Sequence, residues 1–352
     1  MIARTIKRIS VFLLCILFLC VLLCAVSGCG QSTTKVAFFQ YKREDTFITE
    51  MMDYMTARMP EGVTFEVRDA GYSQSVQNQQ IVELIASRFD LLVINAVDRL
   101  ASKSIVEKCA SEEIPLIFFN REPLEDALVG SEVFYVGAAA ASLGEKQADM
   151  VAELFTDNFA GSKYDKNGDG IVQIVILKGE QGHQDAEQRT DNCVRRLKEL
   201  GFEVNVMGSE VADWNKKDGF EAMQKLYSAY GDSIELVFSN NDDMALGAVE
   251  YLINAGVFYS STRVPYDQPL VIVGVDGTAV GLEAIRNGYI YGTVNNDSIG
   301  QADAVLTLVD YIINNKSFDD FPYTITNDHY IYIDGDIITQ ANLSDFIPSP
   351  DN

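Results

Sequence analysis

The sequence predicts an α/β fold, a parallel β-sheet architecture covered by helices and divided into two lobes. Three observations lead there. Short β-branched or aromatic runs alternate with longer stretches of helical periodicity, the signature of repeated βα units. The chain has 352 residues, about two domains at roughly 150 residues each. Finally, 47% of the residues are apolar and 22% charged, with 8 Pro, so each lobe can bury a core and no disordered or disulfide-scaffold class fits.

The first 30 residues stand apart. Arg4, Lys7 and Arg8 form a basic start, and residues 9–26 are an almost unbroken apolar run. That length also suits a retained membrane-spanning helix. The residues Val26-Ser27-Gly28-Cys29, however, resemble the bacterial lipobox, so residues 1–28 are expected to be an export signal. Cys29 becomes the lipidated N-terminus, and residues 29–34 form a short spacer. Cys15, Cys20 and Cys24 leave with the signal. Cys109 and Cys193 remain, on different expected helices, and are read as buried free thiols.

Strands are expected over 35–39, 64–68, 91–95, 116–120, 171–177, 203–207, 236–239 and 270–275, each a short run dominated by Val, Ile, Leu, Phe or Thr. Helices are expected over 46–58, 75–87, 143–158, 187–200, 244–256 and 299–314. Their apolar residues recur three and four apart, as at Ile81, Leu84 and Ile85 or Val305, Leu308 and Val309.

Several strands end where apolar residues give way to polar ones: Ile94-Asn95, Phe119-Asn120-Arg121, Asn240-Asn241-Asp242, Val275-Asp276 and Asn295-Asn296-Asp297. Each pair alone reads as a turn or helix cap. Five together point to a ligand crevice outside the carboxyl ends of the strands.

The 27 Lys and Arg against 51 Asp and Glu give a net charge of −24, which repels phosphate backbones and argues against nucleic acid. It suits a soluble, exported monomer. Asp165, Asn167, Asp169 and Gln173, with the carbonyl of Ile171 and a Gly at the sixth position, reproduce the front of an EF-hand loop. The twelfth position is Ile176 instead of Glu. Either this is an Asx-rich turn, or a distant carboxylate completes a structural site.

His183, Asp185 and Arg189 lie in a loop leading into a helix. With two His in the chain and no nucleophile elbow, P-loop or zinc set beside them, they read as binding groups and not as catalysts. Trp214, the single Trp, sits between polar neighbours as half-buried packing or as a platform for an apolar ring face, and Phe47 could serve a second side of one cleft. Polar tips and aromatic faces together suit a neutral pyranose.

Over nearly the whole exported chain the sequence resembles the bacterial glucose/galactose-binding proteins, substrate-binding proteins of ABC transporters. The resemblance rests on Tyr41 to Phe47, Phe118 to Pro123, Tyr135-Val136-Gly137, the 165–173 loop, Leu177 to Glu180 through His183 to Thr190, Asn240 to Asp242, Gly274-Val275-Asp276 and Gly292 to Val294 with Asn296-Asp297. It implies the type I periplasmic binding protein fold, two Rossmann-like lobes joined by a three-stranded hinge. The N-terminal lobe would take 35–139 plus 296–331, and the C-terminal lobe 140–295 plus 332–352.

It further implies that Asp45, Asn120, His183, Asp185, Arg189, Asn241, Asp276 and Asn296 hydrogen-bond D-galactose or D-glucose while Phe47 and Trp214 sandwich the ring. Glu235 would complete a calcium site made by the 165–173 loop. No catalysis is expected. The implied partners are membrane permease subunits, or alternatively a chemoreceptor or sensor kinase fed by the same site, at a location outside the cytoplasm and lipid-anchored to the membrane. Two departures, Arg121 where a close relative has Lys and a longer loop over 257–269, are expected to lie outside the ligand-touching residues.

Overall fold

The computed structural model describes residues 33–155, 159–259 and 266–347. The expected export segment, Cys29 and most of the spacer lie outside the described residues, as does the end of the helix expected over 143–158. Among the described residues no helix is long and apolar enough to cross a membrane.

Two six-stranded sheets organise the chain. The first contains β1 (Thr34–Gln40), β2 (Val63–Asp69), β3 (Leu91–Ile94), β4 (Leu116–Phe119), β5 (Val133–Gly137) and, from far downstream, a strand at Tyr330–Tyr332. Between them run α1 (Thr46–Ala57), α2 (Gln74–Ala86) and α3 (Ser102–Ser111). After β5 the chain enters α4 (Ala140–Leu154). The second sheet follows, with β6 (Ile171–Lys178), α5 (Gln184–Glu199), β7 (Glu203–Val211), α6 (Lys216–Tyr230), β8 (Leu236–Ser239), α7 (Asp242–Asn254), β9 (Val271–Asp276), α8 (Ala279–Arg286) and β10 (Gly292–Asn295). The chain returns through α9 (Ser298–Ile313), which packs on α1, to β11 (Tyr330–Tyr332), and then crosses again to β12 (Ile337–Thr339).

The strand orders are β11-β5-β4-β3-β1-β2 and β12-β10-β9-β8-β6-β7. β1 with β3, β3 with β4, β4 with β5 and β5 with β11 pair in parallel, as do β7 with β6, β6 with β8, β8 with β9 and β9 with β10, while β10 with β12 is antiparallel. β3, β4, β5, β8 and β9 are buried along their whole length, as strands must be when helices cover both faces. Each order reverses beside its first strand, at β1/β3 and at β6/β8. Loops leaving those strands diverge there, which opens a crevice in each lobe.

The α/β class and the two-lobe plan follow the expectation from sequence. β5, β10, β11 and β12 and the helices α3, α6 and α8 were not among the elements expected. α6 shows why. Gly219 lowers its intrinsic helix preference, yet a Cβ there would stand 2.5 Å from the Met244 carbonyl oxygen, and one at Gly247 of α7 would stand 2.1 Å from that of Lys216. The two helices cross backbone to backbone, and the residues that permit it mask the helical signal. Cys109 and Cys193 are free and buried, and burial raises both thiol pKa values, that of Cys109 to about 12.

Candidate functional site

The polar tips of both sheets meet at one interlobe cleft, drawn together in this structure around a cavity of about 30 Å³. Asp45, Phe47 and Asn120 reach it from the first lobe. His183, Asp185, Arg189, Trp214, Asn241, Asp276 and Asn296 line the rest. The structure thus gathers all ten residues named from the sequence at one place. It adds Tyr41, Ile48 and Arg121.

Local structure fixes each group. Asp45 caps α1: its Oδ1 accepts from the Ile48 amide at 2.9 Å, and its Oδ2 accepts from the Tyr41 hydroxyl at 2.6 Å. Phe47 follows in the first turn, almost fully buried. Asn120 holds a left-handed φ of 60° just past β4, and its Oδ1 accepts from Asn95 Nδ2 at 3.1 Å. Asn241 caps α7 by accepting from the Met244 amide at 3.0 Å, and its Nδ2 donates to the Trp214 carbonyl at 3.1 Å. These caps use only part of each side chain's capacity, leaving lone pairs or an N–H for a ligand.

His183 caps α5 with Nδ1 accepting the Asp185 amide at 3.1 Å. Burial first, then the guanidiniums of Arg121, Arg189 and Arg99, lower its pKa well below the ordinary value. A neutral ring with Nδ1 accepting carries its proton on Nε2 as a donor. Arg189, 3% exposed, donates from Nη1 to the Asn240 carbonyl at 2.8 Å and from Nη2 to Asp185 Oδ2 at 3.1 Å, and Asp276 lies 3.8 Å from Nη1. Burial raises the pKa of both carboxylates, with Arg189 opposing it. One guanidinium therefore steadies two buried acids, the condition under which such charges line a dry cavity. Asn296 Nδ2 donates to Asp276 Oδ1 at 3.2 Å.

Trp214 has its ring edge-on to His183, at a centroid separation of 5.2 Å and an interplanar angle of 76°. Asp213 and Trp214 are consecutive non-glycine residues with φ of 40° and 63°, and Asp276 stands at 121°. Such backbone strain concentrates where side chains are aimed for a purpose. Gly179 lies against the indole: a Cβ there would be 2.2 Å from Trp214 Cζ2.

Arg121 corrects an expectation. Placed outside the ligand-touching residues from sequence, it lines the cavity, because its guanidinium folds back over the Tyr41 ring at 3.7 Å. Tyr41 stands in the 41–47 motif with no role legible from sequence beyond its position four residues before Asp45. Part of the longer loop, 260–265, lies outside the described residues.

The 165–173 loop folds on itself. Asp165 Oδ2 accepts from the Gly161 amide at 2.8 Å, and Asn167 Nδ2 and Gln173 Nε2 donate to Asp169 Oδ2 at 2.8 and 3.2 Å. The Ile171 amide donates to Asp169 Oδ1 at 2.8 Å. Glu235 accepts from the amides of Lys166 and Gln173 at 2.8 and 2.9 Å. Its pKa is raised, first by burial, with Asp165 and Asp169 adding repulsion. Among the described residues no group of three or more His, Cys, Asp or Glu has metal-holding geometry. Two features nevertheless fit a hard cation: every candidate donor is an oxygen, and Asp165 Oδ1 is buried without a partner.

Residues 36–317 match the family model described as periplasmic binding protein domain. The chain is 32% identical to the D-galactose/methyl-galactoside binding periplasmic protein MglB of Haemophilus influenzae, over 92% of this chain and 95% of that one. It is 26% identical to a putative rhizopine-binding protein of Rhizobium meliloti, over 84% and 85%. Among solved structures it resembles an ABC transporter solute binding protein from Bacillus halodurans with bound myo-inositol (24% identity, TM-score 0.72, covering 89% and 97%). Another from Actinobacillus succinogenes, with bound D-allose, is similar (20% identity, TM-score 0.73, covering 89% and 99%).

Proposed function

The chain belongs to the periplasmic binding protein family, and from that premise we propose that it captures D-galactose or D-glucose between its lobes and delivers the sugar to the permease of an ABC transporter. Members of this family bind substrates and are not enzymes, and His183 and Asp185 are accordingly binding groups.

One observation carries the reading: amide, carboxylate, imidazole and guanidinium groups from both lobes, with Phe47 and Trp214, line a single small cavity. Sugar hydroxyls both donate and accept. Asp45, Asp185 and Asp276 would accept hydrogen bonds from them, while Asn120, Asn241, Asn296, Arg189 and His183 Nε2 would donate to their oxygens. Phe47 and Trp214 would cover the C–H faces of the ring. A neutral ligand is favoured because the buried acids already share Arg189. The name of the Haemophilus influenzae relative supports a galactose-type ligand.

The lobes proposed are 35–139 plus 296–331 and 140–295 plus 332–352, closing around the ligand by hinge motion at the three crossings. Asp165, Asn167, Asp169, Gln173, Glu235 and the Ile171 carbonyl would hold Ca²⁺, whose role is to clamp the start of β6 to the start of β8. Cys29 would carry lipid and keep the protein at the outer face of the membrane. Titration calorimetry on protein stripped of bound sugar, against a panel of hexoses and pentoses, tests the reading. One saturable site for galactose or glucose is expected, and no heat with any neutral sugar would overturn it.

A further inference from the structure

We infer that Arg121 is a positioning residue that ties closure of the lobes to the orientation of Asp45; this rests on the sugar-binding reading above. Arg121 follows β4 of the first lobe and is 4% exposed. Its Nη1 donates to the Val97 carbonyl at 2.7 Å, within its own lobe. Its Nη2 donates to Glu180 Oε2 at 2.8 Å, across the cleft on the loop that leaves β6. The flat face of the same guanidinium lies 3.7 Å from the Tyr41 ring centroid. The Tyr41 hydroxyl in turn donates to Asp45 Oδ2 at 2.6 Å. A continuous relay thus runs from a carboxylate of one lobe to a ligand-facing carboxylate of the other.

Three physical points make the relay more than adjacency. The side chains of Arg121 and Glu180 are 5% and 25% exposed, so the pair is poorly screened and removing one partner strands a largely desolvated charge. Tyr72, whose ring leans on Tyr41 at 5.9 Å, has its pKa raised first by burial and then by the Glu180 carboxylate, so a second first-lobe side chain feels that same acid. A planar guanidinium can bond through its edge and stack through its face at once, which the ammonium of Lys cannot. When the lobes separate, Glu180 leaves, and the stack that steadies the Tyr41 hydroxyl on Asp45 loses its outer restraint. Asp45 then keeps its cap on the Ile48 amide, but its Oδ2 loses the added restraint that the shut cleft places on Tyr41.

Stopped-flow measurement of Trp214 fluorescence with D-galactose and D-glucose, on wild type, Glu180→Gln, Tyr41→Phe and the double variant, tests this. Because the ion pair forms after encounter, Glu180→Gln should raise the dissociation rate about tenfold and leave the association rate within about twofold. The double variant should lose less affinity than the product of the two single losses, since both substitutions break one relay. Arg121→Lys should dissociate as fast as Glu180→Gln despite keeping its charge. A dissociation rate for Glu180→Gln within twofold of wild type, or losses that multiply independently, would overturn the relay. A wild-type protein with no sugar response would instead overturn the sugar-binding reading, and the relay with it.

Discussion

Gly179 is the most exacting point of contact in the proposed site, and replacing it with Ala tests the placement of Trp214. A Cβ at that position would stand 2.2, 2.3 and 2.5 Å from Cζ2, Cη2 and Cε2 of the indole. Comfortable carbon contacts lie at about 3.5 to 4.0 Å, so the ring edge must retreat by roughly 1.5 Å. Its backbone resists: the Trp214 carbonyl is held by Asn241 Nδ2 at 3.1 Å, and Asp213 and Trp214 both occupy left-handed conformations. The indole must therefore swing about its side-chain torsions, out of register with the cavity. Overpacking of this kind costs about 1–3 kcal/mol in stability. Loss of the stacking face should weaken sugar binding by about 1.5–3 kcal/mol, about tenfold to a hundredfold in Kd. Because Trp214 is the only Trp, its emission spectrum reports the displacement, and calorimetry reports the affinity. A Gly179→Ala variant that binds D-galactose within threefold of wild type, with an unshifted emission maximum, would refute the reasoning.

Three further outcomes are expected. Trp214→Ala should weaken sugar binding by a few kcal/mol through lost stacking area, measured by calorimetry; unchanged affinity would remove Trp214 from the site. Glu235→Gln should abolish most of the rise in Tm that wild type shows on adding Ca²⁺ while leaving the Tm in chelator nearly unchanged, because the ion stabilises by mass action; equal Ca²⁺ responses in the two proteins would count against the metal assignment. Asp242, fully buried between α7 and the β9 and β10 tips, has its pKa pushed up from 3.8 to about 7 by burial, against hydrogen bonds from Thr293 and Thr278. The folded state then binds this proton more tightly than the unfolded one, so stability should fall as pH rises from about 4 to about 7 and level off above, by a few kcal/mol. Urea unfolding across pH checks this: Asp242→Asn should flatten that segment, and an unaltered slope would show that Asp242 does not drive it.

The fold was legible where periodicity was strong and local. β3 and β4 are wholly apolar runs, β1 and β8 have apolar centres at 36–39 and 236–238, and α9 carries a clear stripe at Val305, Leu308 and Val309. It was less legible where tertiary contact overrides local preference, as in α6, which tolerates Gly219 because α7 packs on its backbone. β7 runs to Val211, past the expected 207, because pairing with β6 resumes after an irregularity at Ile174/Val175 that periodicity does not announce.

The site was legible for a different reason. Strand tips ending in Asn or Asp mark a crevice whether or not the lobes' arrangement is known, and Asn120, Asn241 and Asp276 all lie at such places; Asp45 came from the family resemblance. Arg121 was misjudged because its role depends on Glu180, 59 residues away and in the other lobe. No local pattern encodes that pairing. The same holds for Tyr41, whose aromatic face matters only because a guanidinium rests on it.

A crystal structure of the protein grown with D-galactose would test the central claim most directly. The account predicts one pyranose between Phe47 and Trp214, hydrogen-bonded by Asp45 and Asn120 from one lobe and by Asp185, Arg189, Asn241 and Asp276 from the other. A cleft empty at saturating sugar, or a sugar held by one lobe alone with Trp214 turned away, would contradict it.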